Sequence, residues 1–389
     1  MKNNKFSEDN SRVLEFPPKS GVKSKKKKSK FITAIIFLLC ITVVVCIIGK
    51  ENTSNFDSTN SVNSESISLS GANNYSFSSY KEGYIFASDG KISCYNTSNT
   101  LQWQISGSKT APKIVTNDPY VLTYYPDDTI AVVTNGSKTK TIKTQGKVIQ
   151  GYVNSNGFCA FLVRETGLKN KITVYDNEGK MIYYRNNPDK LITHVSLSDD
   201  NKTLLTTELV AEKDFVSTEF VMTNVKKNIE RARIKFSDDI PAGCNFVKKS
   251  EVIALFETKM VLFNLDGKIK QETEFENNRM QKFSYDNGYF AMLFNEDDSA
   301  DVGSEIVFYN KNCKRVGGFS TQDKVYNVEI RDRIVLMTKA SELVSSNFKG
   351  KEISKVDVTY DTQNVLFMGN KKCALVVSNA QSAKLMPLK

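Results

Sequence analysis

The sequence predicts an all-β protein, a β-propeller of four-stranded blades preceded by one transmembrane helix, on three observations. A strand that ends in Asn or Asp before a short turn recurs about every forty residues. A near-continuous apolar strand precedes each of these markers, and a charged, alternating strand follows several of them. Upstream of every repeat lies an uncharged apolar run of 18 residues flanked by lysines.

The elements follow in chain order. Residues 1–30 hold ten Lys/Arg against three Asp/Glu, so most of the formal +10 of the 389-residue chain sits in this basic tail. The +3 left for the other 359 residues is too dilute for a phosphate-binding groove, and nucleic acid is excluded as a partner. The apolar run opens at Phe31 and closes at Ile48, FITAIIFLLCITVVVCII. At ~1.5 Å per residue it spans about 27 Å, close to the hydrocarbon thickness of a bilayer. The lysines before it place the tail in the cytoplasm and the C-terminal domain outside. A cleaved signal peptide is the rival reading, but Ile47, Ile48, Gly49 and Lys50 lack the small residues that cleavage requires. Residues 49–74 are rich in Ser, Asn and Thr, the composition of a stalk.

From 75 to 389 the repeats run on. The marker strands are ISCYN, AVVTN, ITVYD, FVMTN, MVLFN, IVFYN and LVSSN, ending at Asn96, Asn135, Asp176, Asn224, Asn264, Asn310 and Asn347. Turns such as NEGK, LDGK and FKGK supply the positive φ of a tight hairpin. The strands before the markers, among them GYIFAS, FCAFLV and VIALFE, are apolar throughout, as burial on both faces requires. Those after them, KTKTIKT, ERARIKF and KEISKVDV, alternate with charge and belong at a wet outer edge. Strands of this period with no helical period between them make a propeller. The 318 residues from 72 to 389 hold seven to eight such units. The eighth apolar strand, CALVVS, is followed by only one more, at 383–388, so ESISLS at 65–70 is expected to supply the missing outer strand. Eight blades closed by the N-terminal strand is the expectation, with seven the alternative.

GKISCYNTSNTLQWQI (90–105) resembles the quinoprotein-type and WD40-like propeller repeat: strand, Asp/Asn turn, then a Trp-bearing outer strand. The ectodomain on its lysine-flanked anchor resembles an uncharacterised family of single-pass propeller proteins from low-GC Gram-positive anaerobes. Only Trp103 fills the Trp position; Tyr183, Ile234 and Phe319 stand at the matching places. The resemblance implies little Trp docking between blades. The quinoprotein-type class contains both cofactor dehydrogenases and non-enzymatic envelope scaffolds, so the fold does not choose between them.

Chemistry is sparse. No carboxylate set for a cofactor-linked Ca²⁺ and no arginine-lined sialidase turn is recognisable, and no catalytic, cofactor or metal residue is assigned. His194, the only histidine, falls in an innermost strand where a structural role is the usual one. The acidic loop NEDDSADVGSE breaks the alternation of a calcium loop at Ser299 and Ala300. The pairs Asp127-Asp128 and Asp199-Asp200 read as turn chemistry. Cys94, Cys159, Cys244, Cys313 and Cys373 fall in different units and read as buried thiols.

The expected function is a membrane-anchored, extracytoplasmic binding or scaffold module, not an enzyme, for an envelope protein or a cell-wall component. The alternatives are an envelope enzyme with a dispersed site over the channel, and a sensor coupled to a cytosolic partner. Long connections on one face, RETGLKNK (164–171), LVAEKDFVSTE (209–219) and NEDDSADVGSE (295–305), mark the expected partner surface. Its candidate residues are Glu212, Lys213, Asp214, Asp297, Asp298 and Asp301.

Overall fold

The computed structural model describes residues 66–69, 74–88, 90–108, 111–165, 170–186, 190–275, 279–295, 303–359, 362–378 and 382–388. The expected cytoplasmic tail (1–30), the expected membrane span (31–48) and most of the expected stalk (49–74) lie outside them. No helix among the described residues is long and apolar enough to cross a membrane.

The strands form eight antiparallel sheets of four. In blades 1 to 7 each sheet is one consecutive run from the innermost strand to the outer one, beginning with Tyr75–Tyr80, Gly83–Ser88, Lys91–Tyr95 and Leu101–Ser106. Blade 8 takes its three inner strands from Thr362–Phe367, Cys373–Ser378 and Ser382–Pro387, and its outer strand from Ser66–Ser68. Ser66 pairs with Lys384 and Ser68 with Ser382. The N-terminal closing strand and the count of eight are therefore as the sequence arithmetic has them.

Apolar second strands are buried on both sides because each sheet stands between two others. In Glu251–Phe256 all six residues are buried. Val252, Ala254 and Phe256 face blade 4, while Ile253 and Leu255 face blade 6. Eight such clusters fill the eight seams, the last uniting Leu69, Met368, Leu375 and Leu385 with Tyr84 of blade 1. At that seam a Cβ on Gly369 would stand 2.0 Å from the Lys81 carbonyl oxygen, so the backbones of blades 8 and 1 meet where only glycine fits.

The marker residue has a structural task. Asn264 Oδ1 accepts hydrogen bonds from the N–H groups of Asp266 (3.1 Å) and Lys268 (2.8 Å), folding the hairpin back on itself. Asn96, Asp176, Asn310 and Asn347 each accept from residues two and four further on in the same way. The turn glycines also dock neighbouring blades. Trp103 packs on Gly136 of blade 2, and Phe319 on Gly350 of blade 7. Ile142 meets Gly179, and Ile234 meets Gly267. The docking position thus persists where tryptophan is replaced.

One expected loop is instead sheet. Leu209 to Ala211 and Val216 to Glu219 extend the two middle strands of blade 4, Thr203–Ala211 and Val216–Asn224. Only a tight turn remains between them, with the Glu212 N–H donating to the Phe215 carbonyl at 2.9 Å. Alternating Thr, Val and Phe on either side of a short polar turn make a hairpin, and its charged residues disguised it as a loop.

Candidate functional site

Two features stand at opposite ends of the ring. The turns from innermost to second strand, together with the marker turns, emerge at one end, and the connections between blades at the other. At the first end the innermost strands surround an open cavity of about 1170 Å³ on the ring axis, lined from all eight blades. Tyr152 and Tyr285 line it from blades 3 and 6, and Phe246 from blade 5. Burial raises the Tyr152 phenol, and the Asp199 carboxylate raises it further. Asp199 also bears on Tyr285, which burial and Asp286 raise as well.

His194 lies in Leu191–Leu197 and lines the cavity, where the sequence placed it. Its Nε2 is sealed from solvent with no partner, as is Gln150 Oε1 on the neighbouring innermost strand. Burial pulls the imidazole down to about 4, so it is neutral and a weak base near neutral pH. Arg331 donates to Ser79 Oγ of blade 1 and to the Ile330 carbonyl, and its Nη1 lies 3.9 Å from Asp286. The five described cysteines are buried and free, and burial pushes Cys94 up to about 11 and Cys244 and Cys313 to about 12. Such thiols are not activated nucleophiles. Among the described residues no three His, Cys, Asp or Glu side chains converge as metal ligands would.

At the opposite end blade 4 forms a crest, its second, third and outer strands nine residues long. Leu191 (57% exposed), Phe215 (40%), Val216 (37%) and Ile240 (57%) stand on it. An ionic network of largely buried carboxylates and half-buried cations braces it from below. Glu208, its side chain 2% exposed, lies opposite Glu219 on the next strand, and like charges so placed repel. Arg185 from blade 3, Lys190 and Arg233 neutralise the pair. Lys190 Nζ lies 2.5 Å from Glu219 and 3.4 Å from Glu208. Burial alone would raise Glu219, yet Lys190 and Arg233 hold it below the usual carboxylate range.

Of the candidate residues, Glu212 is tied down by Lys235 and accepts from Ser217 Oγ at 3.3 Å, while Lys213 and Asp214 are exposed at the tip of the crest. Asp297, Asp298 and Asp301 lie outside the described residues. Sequence reasoning placed Phe215 and Val216 within the expected surface of 209–219 without singling them out, and missed Leu191 and Ile240. An apolar residue beside charged ones at a strand end gives no signal until the strands are paired.

The eight four-stranded sheets define an eight-bladed β-propeller. Solved structures share the architecture. BamB from Moraxella catarrhalis is similar with a TM-score of 0.52 at 12% identity, covering 84% of this chain and 97% of that one. Sqt1 from Saccharomyces cerevisiae gives 0.54 at 8% identity, covering 82% and 99%. Sqt1 from Chaetomium thermophilum, bound to the N-terminus of the ribosomal protein L10, gives 0.53 at 10% identity, covering 80% and 96%. At such identities the likeness is one of fold alone. The chain belongs to DUF5711, a family of unknown function, whose sequence profile matches residues 52–387. No curated protein sequence matches it significantly.

Proposed function

We propose that the protein is a membrane-tethered, extracytoplasmic binding module whose propeller presents the crest of blade 4 to an envelope protein. The observation that carries this reading is the crest itself: four exposed apolar side chains, Leu191, Phe215, Val216 and Ile240, in the strand ends, turn and connection at the end of blade 4 that its nine-residue strands extend, above an ionic network centred on buried Glu208. Apolar residues clustered on a rigid scaffold are the usual anchor of a protein interface. The run from Phe31 to Ile48 and the lysines before it support the tether and its orientation. Weak-base His194 and the suppressed thiols favour binding over nucleophilic catalysis. A propeller of similar fold that holds a polypeptide N-terminus, as Sqt1 does, is consistent with a protein partner.

The test is photo-crosslinking in intact cells from a benzoylphenylalanine placed at Phe215 or Ile240, with Ile353 on the outer strand of blade 7 as control. One discrete adduct from both crest positions and none from Ile353 supports the reading. Equal labelling from all three refutes it. Impermeant maleimide should label a cysteine placed at Ser58 but not one at Ser7; the reverse pattern would invert the topology.

A further inference from the structure

The walls of the axial cavity differ in charge. Blades 2, 3 and 4 line it with Asp118 and Asp199 and with no lysine or arginine. The cations come from the other side, as Lys81, Lys248, Lys249 and Arg331, interleaved there with Glu82, Asp286 and Asp332. Most of that second group is engaged. Lys248 pairs with Glu251 at 2.5 Å and Lys81 lies over the Tyr80 ring at 5.1 Å. Arg331 is tied to Ser79, Asp286 accepts from the Asp332 N–H at 2.6 Å, and Asp332 pairs with Lys371 at 2.5 Å.

The two carboxylates of the first wall are free of cations. Asp118 makes no hydrogen bond or ion pair among the described residues. Asp199 Oδ1 accepts from Ser155 of blade 3, from Oγ at 2.7 Å and from N at 3.3 Å, which fixes the carboxylate and leaves Oδ2 unengaged. Between these acids, on the blade 3 strand Lys147–Val153, stands Tyr152, which lines the same wall and packs against the apolar core of the seam between blades 3 and 4. His194 beside them carries no charge near neutral pH and so does not repel a cation.

We propose that this wall binds the ammonium group of a primary amine, held by the Asp199 carboxylate and the Tyr152 ring with Asp118 at the rim. Each component suits that group. A positioned carboxylate gives a charge-assisted hydrogen bond, an aromatic face attracts a cation, and a wall that carries charge of one sign attracts its counter-ion locally. Carboxylates and other anions meet the wrong sign there. The amine is either a small free molecule or the lysine side chain of a polypeptide, and both present the same chemistry.

The test is calorimetric titration of the purified full-length chain with 1,5-diaminopentane and, separately, with an acetylated and amidated peptide bearing one lysine. 1-Pentanol and pentanoate serve as controls, and melting curves verify the fold of every variant. Saturable binding of at least one amine is expected, weakening as salt is raised. Asp199→Asn should weaken it about tenfold, which is ~1.4 kcal/mol. Asp118→Asn should weaken it about threefold and Tyr152→Leu about fivefold, within the range of such single contacts. Lys249→Ala should not weaken it. Binding of the diamine alone assigns a free amine, and binding of the peptide alone a lysine on a chain. Equal affinity for pentanol or pentanoate, a change under twofold in a folded Asp199→Asn, or no saturable binding of either amine overturns the proposal. The crest plays no part in these measurements, so either site can fail without the other.

Discussion

Two buried titratable groups should impose opposite pH dependences on stability. His194 falls from 6.5 to about 4 through burial. Between those values the unfolded chain binds more protons than the folded one, so stability drops as pH falls from 6.5 to 4. Glu329, in Asn327–Arg331, rises from 4.5 to about 7, chiefly through burial, although the Phe367 N–H donates to its Oε2 at 2.7 Å and Arg331 lies near. Here the folded chain binds more protons, so stability drops as pH rises from 4.5 to 7. Each slope is ~1.4 kcal/mol per pH unit, and from pH 4.5 to 6.5 the two effects, about 2–3 kcal/mol each, oppose one another. The depressed carboxylates Glu219, Glu251, Asp323 and Asp332 lose their contribution only below that window. The wild type should therefore be nearly flat between pH 4.5 and 6.5. His194→Leu should lose about 2 kcal/mol across it as pH rises, whereas Glu329→Gln should gain as much. The double variant should be flat again. Urea unfolding followed by fluorescence at pH 4.5, 5.5 and 6.5 measures all four. Single variants that run parallel to the wild type would refute the assignment of these displacements to burial.

Three further outcomes are expected. Leu69 is 1% exposed in the seam between blades 8 and 1, and Leu69→Ala should cost ~2–4 kcal/mol in urea unfolding, where an ordinary stalk residue would cost nothing measurable. Glu208→Ala should cost ~1–3 kcal/mol by leaving Arg185 without its carboxylate and Lys190 and Arg233 with fewer partners below the crest, and restoring apolar volume with Glu208→Met would not rescue it while those cations remain. Maleimide should modify Cys159 and Cys244 only after denaturant is added, because burial both shields these thiols and raises them; rapid reaction of the native protein would contradict their burial.

What could be read in the sequence, and what could not, follows from how far each signal reaches. The second strands announce themselves because every residue of a segment such as Glu251–Phe256 enters one seam or the other, a demand each strand meets alone. The marker turns are equally local, since Asn264 closes its own hairpin. The closing strand at Ser66–Ser68 was legible only as a deficit, one outer strand too few at the C-terminus. The sites had no such local signature. Asp199 looks like its neighbour Asp200, yet the two part company in the fold. Asp200 stays within its turn, accepting from Ser198 Oγ and the Lys202 N–H, and Asp199 reaches across to Ser155 of blade 3. Glu208 and Glu219 face each other in register, an arrangement no local pattern favours, and the Arg185 that makes it tolerable comes from another blade. In a propeller each blade folds by neighbour rules, while the axis and the seams join residues from separate repeats. Groups that face one another there are chosen by the closed ring, and only closure reveals that Asp118 and Asp199 flank one tyrosine with no cation between them.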